Sequence, residues 1–533
     1  MPHRSGNLFD PAVYISHERR ISVLTPIKDV FAHAALTALK RYAMRIPGLS
    51  SMLEKALDPL KSALKRAYNA IDTLQATIRQ KDREIERLNR ALNKATSRLN
   101  ADSRNSSRPP STDSPFKVPR GKKPSGDKPA STGAKSHHHG ASRKPLPPTE
   151  RREIDPLICP RCGGHEFFDL KEIFRTQHIE LPERLLDVTD VIVRAGRCRH
   201  CGKKVKGKIP GELTGTYGPR LMAFVGELHL GLGCSRRFVQ RCFRHVFHLP
   251  ISQGTLQNIL DRISTALKPY YHTLAAACRR VTSNHVDETT WRRFGPGGKA
   301  LHWLWVLCSP AAVFFQLHAH RSREAFQTLV GDWRGILTSD DYAIYRTWEY
   351  GRQTCLAHLL RYAQKFSEDS DRKIALCGRR LKEKLRRLVA MNRNAPTKGE
   401  WKSWLRGFSM CVSRYGKMDN EAGRFCRRLA GEKEALTRFL RHANLEPTNN
   451  LAERTLRFAV TRRKVNIGST TDKGERLVER ALSLRQTCLV HHRSFYSELV
   501  EALTAERDHR PPRKRWIMAA AIRFSYDQFQ AGA

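Results

Sequence analysis

Three acidic residues far apart in the sequence are the best candidates for chemistry. Asp287 and Asp340 each end a short apolar run, and Glu453 lies on a helical pattern further along the chain. Acids at two strand ends and on a helix can converge and hold two divalent metal ions over a phosphodiester. Mg²⁺ prefers such hard oxygen ligands, and Mn²⁺ is an alternative ion. The sequence therefore predicts metal-dependent cleavage and transfer of DNA strands.

Two neighbouring acids, Glu288 and Asp341, compete for the same roles. Successive side chains of an extended strand point to opposite faces of a sheet. We therefore expect only one acid of each adjacent pair to reach the metal ions, and we favour Asp287 and Asp340.

The elements needed to position these acids can be predicted from apolar runs and turn residues. Three strands, a helix and a fourth strand occur in the order that a ribonuclease H-like core requires. We assign this catalytic domain to residues 281–485, with a helical insertion at about 361–445. The predicted strands are Ser283–Asp287, His302–Cys308, Ala312–Leu317 and Gly335–Asp340, with the helix at Arg321–Trp333.

The charge of the chain points to a polyanionic partner. The 533 residues carry a formal net charge of +45, far more than solubility requires. No apolar run approaches the ~20 residues of a membrane-spanning helix, and the N-terminus lacks the apolar core of a signal peptide. We therefore expect a DNA-binding protein of the cytoplasm, associated with the nucleoid, with no membrane partner.

Two C-x-x-C pairs, each followed by glycine, predict a structural zinc site. Four thiolates from two such turns complete a tetrahedral Zn²⁺ site, which stabilises a fold rather than performing chemistry. Roughly alternating segments at Ile173–Leu181 and Leu185–Arg197 predict the strands of a zinc ribbon over residues 151–213. Coincidental spacing is the alternative. The four ligands are Cys159, Cys162, Cys198 and Cys201.

Residues 214–280 are typical of a helical domain of the helix-turn-helix type. Ser252 is a good N-cap for a helix from Gln253 to about Ala266, and a shorter helix precedes it. A plain helical core explains the pattern equally well. The candidate DNA-binding residues here are Arg236, Arg237, Gln253 and Gln257.

The two ends of the chain are predicted to be helical. Residues 1–100 contain a heptad pattern from about position 57, with Leu64, Ile71, Ile78 and Ile85 at one seam position. This pattern favours a coiled coil and a homo-oligomer over a single amphipathic helix packed on its own protein. Residues 101–150 are rich in Ser, Pro and Lys and predict a basic disordered linker. Residues 486–533 predict a basic helical C-terminal segment.

Several ordered motifs give the chain, from about Asn105 onward, a resemblance to a known family. It resembles transposases of the insertion-sequence-sixty-six family, a bacterial DDE group. The motifs are the paired C-x-x-C, His285-Val286-Asp287-Glu288-Thr289-x-Trp291, Leu301-His302-Trp303-Leu304-Trp305-Val306, Ser339-Asp340-x-Tyr342-x-x-Tyr345, Cys355-x-x-His358-Leu359-x-Arg361, Asn449-Asn450-x-Ala452-Glu453-Arg454 and Arg462-Arg463-Lys464.

The resemblance implies that Asp287, Asp340 and Glu453 match the catalytic triad of the family. It also implies a zinc-binding module, action on terminal inverted repeats and on target DNA, and small accessory proteins from the same element. The chain departs from the family where Asp341 replaces the usual glycine and where Phe458 follows Arg457 in place of proline. The first departure leaves the choice between Asp340 and Asp341 open.

Residues close to the acids have candidate supporting roles. His358 lies after the second acid and could donate or carry a proton, although a core cysteine beside a capped histidine is the simpler account of Cys355 and His358. Arg454 and Arg457 share the helix of Glu453 and are candidates for catalytic support. Arg462, Arg463 and Lys464 follow them and could clamp DNA phosphates, or form a solvated basic face.

Taken together, these features predict a multidomain α+β protein. It has an N-terminal coiled-coil helix, a zinc ribbon, helix-turn-helix-like helices and a ribonuclease H-like α/β core with a helical insertion. A non-catalytic DNA-binding regulator that uses the ribbon and the helix-turn-helix alone is the alternative function. A nuclease built on the same core is a third, and it would cleave DNA or RNA without joining.

Overall fold

The computed structural model describes residues 49–99, 146–166, 169–183, 185–201, 203–295, 298–442 and 445–530. The chain divides into two units, Met1–Asn100 and Ala101–Ala533. Residues 1–48 lie outside the described residues, and so do residues 101–145 of the predicted linker 101–150. Among the helices in the described ranges, none has the length and apolar character needed to cross a membrane.

The first unit contains one long helix, α1, Leu49–Leu99, of 51 residues. The predicted heptad segment is therefore helical as far as Leu99, and the rest of residues 1–100 lies outside the described residues. The predicted seam side chains Leu64, Ile71, Ile78 and Ile85 are 47–59% exposed along it. The helix therefore keeps a row of apolar side chains in solvent, and the coiled coil stays a prediction.

The cysteine-rich segment forms a small hairpin of β1, Ala195–Arg197, paired antiparallel with β2, Lys204–Lys206. The predicted strand at Ile173–Leu181 is wrong, and that at Leu185–Arg197 is correct only for its last three residues. The apolar side chains of this region, such as Ile173 and Val188, are exposed. No packed face within the described part of the segment stabilises a wider sheet.

Three helices follow the hairpin: α2, Pro219–Gly226, α3, Arg236–Val246, and α4, Gln253–Cys278. The Ser252 side chain accepts a hydrogen bond from Thr255 N, which confirms the predicted N-cap of α4. The helix continues beyond the predicted end at Ala266. Leu267, Tyr270 and Leu274 extend its buried face by three further turns, and later helices within residues 472–530 cover that face together with the strand Val313–His318.

A five-stranded mixed sheet forms the centre of the second unit, with the strand order β5-β4-β3-β6-β7. Strands β3, β4 and β5 pair antiparallel, whereas β6 pairs parallel with both β3 and β7. The strands are β3, Ser283–Gly295, β4, Gly298–Cys308, β5, Val313–His318, β6, Ile336–Ser339, and β7, Arg352–Thr354.

Strands β3 and β4 are longer than predicted, and β7 was not predicted. The first strand was predicted to end at Asp287, but β3 and β4 continue as a hairpin until Gly295 pairs with Gly298. The far end of β3 is held by the loop around residue 468, where Ser469 N donates to Arg292 O at 3.0 Å. Only glycine fits at position 468, since its φ is +150° and a Cβ would lie 2.1 Å from Arg292 O.

Helix α5, Arg323–Val330, lies between β5 and β6 and confirms the predicted helix there, with shorter bounds. A group of five helices then separates β7 from the helix of Glu453, as the predicted helical insertion requires. They share a core of their own that includes Leu381, Trp404 and Phe408. The five are α6, Leu356–Ser367, α7, Arg372–Ala390, α8, Lys398–Gly416, α9, Glu421–Gly431, and α10, Lys433–Thr437.

Helix α11, Asn450–Asn466, and helix α12, Asp472–Val490, pack against the sheet. Strand β5 is an edge strand, so alternate N–H groups have no strand partner. Three side chains of α12 accept from them: Thr487 from Val313 N, Ser483 from Phe315 N and Glu479 from Leu317 N, at 3.0, 2.9 and 2.7 Å. Their spacing of one helical turn matches the two-residue repeat of the strand.

The predicted boundary at residue 485 falls inside α12, and the last helices are not a separate segment. Helices α13, Phe495–Arg507, and α14, Arg515–Gln530, pack on α2 and α4. Their buried residues share one apolar core with the sheet and with residues 214–280. Because a single core joins these regions, the predicted divisions at 280 and 485 do not separate independent domains.

Candidate active site

Asp287 and Asp340 lie side by side at the centre of the sheet. Strand β3 pairs parallel with β6, and His285 lies opposite Thr338. Continuing that register by two residues along each strand places Asp287 opposite Asp340. The proximity of the two aspartates is therefore a direct result of the parallel register of β3 and β6.

Neither aspartate has a cation as a direct partner. Asp287 Oδ1 accepts a hydrogen bond from Glu288 N at 2.9 Å, and Asp340 Oδ1 accepts one from Tyr342 N at 3.0 Å. Within the described residues, no basic side chain forms an ion pair with either carboxylate. Burial, followed by the charges of Glu288 and Asp340, raises the pKa of Asp287 well above its usual value. Burial also raises the pKa of Asp340, although Arg321 and Arg352 partly oppose this effect.

Glu288, the rival of Asp287, is neutralised by its surroundings. Arg321 Nε donates to Glu288 Oε1 at 2.6 Å, and the Tyr345 hydroxyl donates to the other carboxylate oxygen. The Arg321 guanidinium also stacks on Tyr342, with 3.6 Å between its central carbon and the ring centroid. A carboxylate held by these partners is less available to a metal ion than Asp287 is.

Asp341, the rival of Asp340, is likewise engaged. Its side chain is 5% exposed and pairs with Arg428 of α9, and Arg346 lies 3.7 Å away. Burial raises the pKa of Asp341 to about 6, and Arg428 opposes that shift. The departure from the family pattern at this position therefore adds an ion pair to the helical insertion, and it leaves the Asp340 carboxylate free of a direct cation partner.

Glu453 approaches the aspartates from the first turn of α11. Its charge is among those that raise the pKa of Asp287, so the three acids share one region of the molecule. Glu453 Oε1 lies 3.7 Å from His358 Nδ1, and Glu453 Oε2 lies 3.7 Å from Arg361 Nη2. Both His358 Nδ1 and Glu453 Oε1 are buried without a hydrogen-bond partner.

Asn449, just before α11, fixes the helix of Glu453 to the sheet. Its Nδ2 donates to Val286 O at 2.8 Å, and its Oδ1 lies 3.1 Å from His285 Nδ1. Its backbone N–H points at Cys355 Sγ, 3.1 Å away. These contacts place the helix start beside the residue that precedes Asp287. Sequence reasoning quoted Asn449 in a motif but gave it no role.

His358 is neutral in this environment. Burial, reinforced by the charge of Arg361, lowers the pKa of His358 to about 4, although Glu453 opposes the shift. A neutral imidazole can accept a proton or bind a metal ion, but it has no proton to donate as imidazolium near neutral pH. The same lowered pKa makes the imidazole a weaker base, so a proton-carrying role for His358 stays a prediction.

The basic residues of α11 differ in availability. Arg454, Arg457 and Lys464 are exposed on the helix that carries Glu453. Arg462 is only 5% exposed, and burial lowers its pKa to about 10. Arg463 donates to Thr290 Oγ1 at 2.6 Å and so is tied to β3. Burial of Arg462 is at odds with its predicted direct contact to DNA phosphates, because the guanidinium does not reach the surface.

The candidate DNA-reading residues lie on α3 and α4, and hydrogen bonds between side chains link the two helices. Arg236 Nη1 donates to Gln257 Oε1 at 2.6 Å, and Gln253 Nε2 donates to Gln240 Oε1 at 2.8 Å. Arg236 and Arg237 are exposed, whereas the two predicted glutamines are half-buried. Any contact of the glutamines with DNA bases would require these hydrogen bonds to be exchanged.

The two cysteine pairs each form a tight turn. Gly163 N donates to Cys159 O at 2.9 Å, and Cys198 N donates to Lys203 O at 2.9 Å. Backbone N–H groups of Arg161 and Cys162 lower the pKa of Cys159, and those of Cys201 and His200 lower that of Cys198. Among the described residues, potential metal ligands cluster at Cys355, His358 and Glu453. One ligand atom of each lies within 4.8 Å of the other two. The two turns are not joined into such a group, and the zinc ribbon stays a prediction.

Sequence reasoning missed the residues that neutralise the rival acids. Arg321 and Arg428 come from a loop and from the helical insertion, and no local pattern links either of them to Glu288 or Asp341. Tyr345 offered a signal, since it ends the motif that begins at Ser339. Its hydroxyl binds Glu288 and its ring is buried against Trp305.

Comparison with known protein families gives two matches. Residues 214–477 match the model of the family described as Transposase IS66 family. Residues 56–144 match a family of unknown function (DUF6444). No curated protein matches the chain.

Proposed function

The chain belongs to the transposase IS66 family, and we propose that it cuts and joins DNA at the ends of an insertion sequence with Asp287, Asp340 and Glu453 as its catalytic acids. A role as a DNA-processing transposase follows from the family. The assignment of the three acids depends chiefly on one observation: two aspartates lie opposite each other in register without an ion-pair partner, while their neighbours Glu288 and Asp341 are paired with arginine.

The donor set of this site fits a hard divalent cation. Three carboxylates offer oxygen ligands. Burial raises the pKa of both aspartates, and the charges of Glu288, Asp340 and Glu453 add to the shift at Asp287, which a bound cation would relieve. Asp287, Asp340 and Glu453 would hold Mg²⁺, two ions in our proposal. When bound, Mg²⁺ would activate the attacking oxygen and stabilise the leaving oxygen of the phosphodiester.

The residues around the acids position them. Arg321 and Tyr345 bind the Glu288 carboxylate, and Arg428 binds the Asp341 carboxylate. Neither rival acid is then free to replace Asp287 or Asp340. Asn449 fixes the start of the helix that carries Glu453. His358 lies beside Glu453, with its Nδ1 3.7 Å from Glu453 Oε1.

The arrangement of the sheet supports a ribonuclease H-like core as the finer description of the fold. Three antiparallel strands are followed by two parallel strands, in the order β5-β4-β3-β6-β7. The first aspartate lies on the central strand β3, and the second follows the adjacent parallel strand β6. The helical insertion then separates these two acids from the third, on α11.

Contacts with DNA are proposed on two surfaces. Exposed Arg454, Arg457 and Lys464 share helix α11 with Glu453 and would bind backbone phosphates. Arg236 and Arg237 on α3, with Gln253 and Gln257 on α4, would recognise the terminal inverted repeats. The zinc-binding role of Cys159, Cys162, Cys198 and Cys201 is part of the same proposal, since each turn already favours thiolates.

The function is tested by incubating the full chain with DNA that flanks its own gene, in Mg²⁺ and in chelator. We expect cleavage at the repeat ends and joining to target DNA in Mg²⁺ only. Glu453→Gln should abolish both reactions, whereas the exposed residue change Glu446→Gln should leave them unchanged. Cleavage without joining would favour a nuclease, and specific binding without cleavage would favour a DNA-binding regulator.

We also propose that α1 assembles the protein into a homo-oligomer through its exposed seam. Ile78→Asp together with Ile85→Asp puts charge at two seam positions, which would be buried in a coiled coil. We expect light scattering to show a lower oligomeric state for this variant than for the wild type. Arg83→Ala, on the outer face of the same heptad, is the matched control and should assemble as well as the wild type. An unchanged mass of the double variant would exclude the seam as the interface.

A further inference from the structure

The cluster of Cys355, His358 and Glu453 has a geometry that the proposed transposase chemistry does not use. Cys355 caps the N-terminus of α6, and His358 lies one turn further along that helix. Glu453 lies in the first turn of α11. One ligand atom from each side chain lies within 4.8 Å of the other two. Two helix starts therefore bring a sulfur, a nitrogen and an oxygen ligand together.

Hydrogen bonding does not account for this convergence. His358 Nδ1 and Glu453 Oε1 face each other at 3.7 Å, which is too long for a hydrogen bond. Both atoms are buried and unpartnered. With zinc bonds to nitrogen and oxygen of about 2.0–2.2 Å, two such ligands of a tetrahedral ion lie roughly 3.3–3.6 Å apart, close to the observed 3.7 Å. The observed separation therefore matches an edge of such a coordination sphere better than a direct contact.

The cluster is held in place independently of any ion. Leu356 N donates to Pro447 O at 2.9 Å, which links the start of α6 to the segment before α11. Asn449 N points at Cys355 Sγ at 3.1 Å, which orients the sulfur. Cys355 is fully buried, and the His358 side chain is 12% exposed. The ligands thus have fixed positions on rigid elements, as a metal site requires.

We propose that Cys355, His358 and Glu453 form a binding site for Zn²⁺, distinct from the carboxylate site for Mg²⁺ and sharing Glu453 with it. Thiolate, imidazole and carboxylate are a borderline-soft donor set that selects zinc over magnesium. Three protein ligands leave one coordination position open. The thiol proton of Cys355 passes to water when the ion binds.

If Glu453 is a catalytic acid, as the proposed function requires, zinc and Mg²⁺ compete for its carboxylate. A carboxylate bound to zinc beside His358 is withdrawn from the aspartates, so zinc occupancy suppresses the Mg²⁺-dependent reaction. Excess Mg²⁺ does not restore activity, because the hard cation does not compete for the thiolate and imidazole ligands. The site would thus act as an inhibitory zinc sensor at the catalytic centre.

Cobalt binding tests the site without reference to DNA. The full chain with Cys159, Cys162, Cys198 and Cys201 all changed to Ser is titrated with Co²⁺, which reports thiolate ligands through a charge-transfer band. We expect one Co²⁺ per chain, displaced by Zn²⁺ and not by Mg²⁺. Adding Cys355→Ser should remove the band, and His358→Ala should weaken binding by at least about 100-fold. Cys488→Ser, another fully buried thiol, is the matched control and should keep the band.

The outcomes separate this site from the proposed function. A band that is absent, or that survives Cys355→Ser, overturns the zinc site whatever the DNA assay shows. If circular dichroism shows that Cys355→Ser does not fold, Glu453→Gln in the same four-serine background tests the zinc site instead. It should weaken Co²⁺ binding and leave the buried thiol in place. Zinc binding without any Mg²⁺-dependent strand transfer keeps the site and rejects the transposase mechanism.

Discussion

Asp287→Asn is expected to abolish strand cleavage and transfer while it stabilises the metal-free protein. The change removes a ligand but keeps the side-chain volume, so activity in Mg²⁺ should fall by more than about 10³-fold, or about 4 kcal/mol of barrier. Stability should rise by about 1–2 kcal/mol, because a crowded carboxylate without a cation partner is replaced by a neutral amide. Strand-transfer assays and thermal denaturation in chelator measure the two effects.

The same variant should change how stability depends on pH. The pKa of Asp287 is raised in the folded protein, so the folded state holds its proton more tightly than the unfolded chain does. The metal-free wild type should therefore lose stability as pH rises above the usual carboxyl range, and Asp287→Asn should lose less. Addition of Mg²⁺ should stabilise the wild type at neutral pH and have little effect on the variant.

Two further substitutions serve as controls for Asp287→Asn. Glu288→Gln breaks the ion pair with Arg321 and should destabilise the protein by about 1–3 kcal/mol, the opposite sign. Asp332→Asn is exposed and should change neither stability nor activity. Strand transfer by Asp287→Asn at the wild-type rate would refute the assignment of this residue as a catalytic acid.

Asn449→Ala is expected to have the second largest effect, on both stability and activity. It removes the donor to Val286 O and the partner of His285, and both of these groups are buried. We expect a loss of about 2–4 kcal/mol in the free energy of unfolding. At temperatures where the variant is folded, strand cleavage should fall about 100-fold, because the helix of Glu453 is no longer fixed to β3.

Asn450→Ala tests whether the effect belongs to Asn449 rather than to the start of α11. Asn450 is the next residue, and it is exposed. Circular dichroism melts and cleavage assays should give wild-type values for Asn450→Ala. If the two alanine variants behave alike, the network between Asn449 and β3 does not position Glu453.

Local patterns were sufficient to predict where β3, β4, β5 and β6 lie, whereas the catalytic role of the acids stays a prediction. Short segments that end in Val286 and in Ser339 form buried parts of β3 and β6, and the aspartate after each segment lies at the same edge of this parallel pair. Ser252 could be predicted as an N-cap because its hydroxyl binds a backbone N–H three residues away. In each case the decisive contacts lie within a few residues or follow from strand periodicity.

Contacts between distant segments decided what the sequence could not predict. Strand β7 contains only Arg352, Gln353 and Thr354, which resemble a loop until Gln353 is seen to bind Leu436 O and Phe439 N. The predicted strand at Ile173–Leu181 had suitable residues but lacks a partner in the described part of the chain. The choice between Asp340 and Asp341 depended on Arg428, which is far away in sequence.

The three α12 side chains that bind β5 determine how the central sheet can interact and open. The backbone N–H groups of Val313, Phe315 and Leu317 on the edge strand β5 already donate to α12. An incoming strand cannot pair with them, which disfavours fibril-like stacking and strand exchange between molecules. Those amides can exchange with deuterium only after α12 lifts from the sheet. Helix and strand should therefore open as one cooperative block, with matching protection factors.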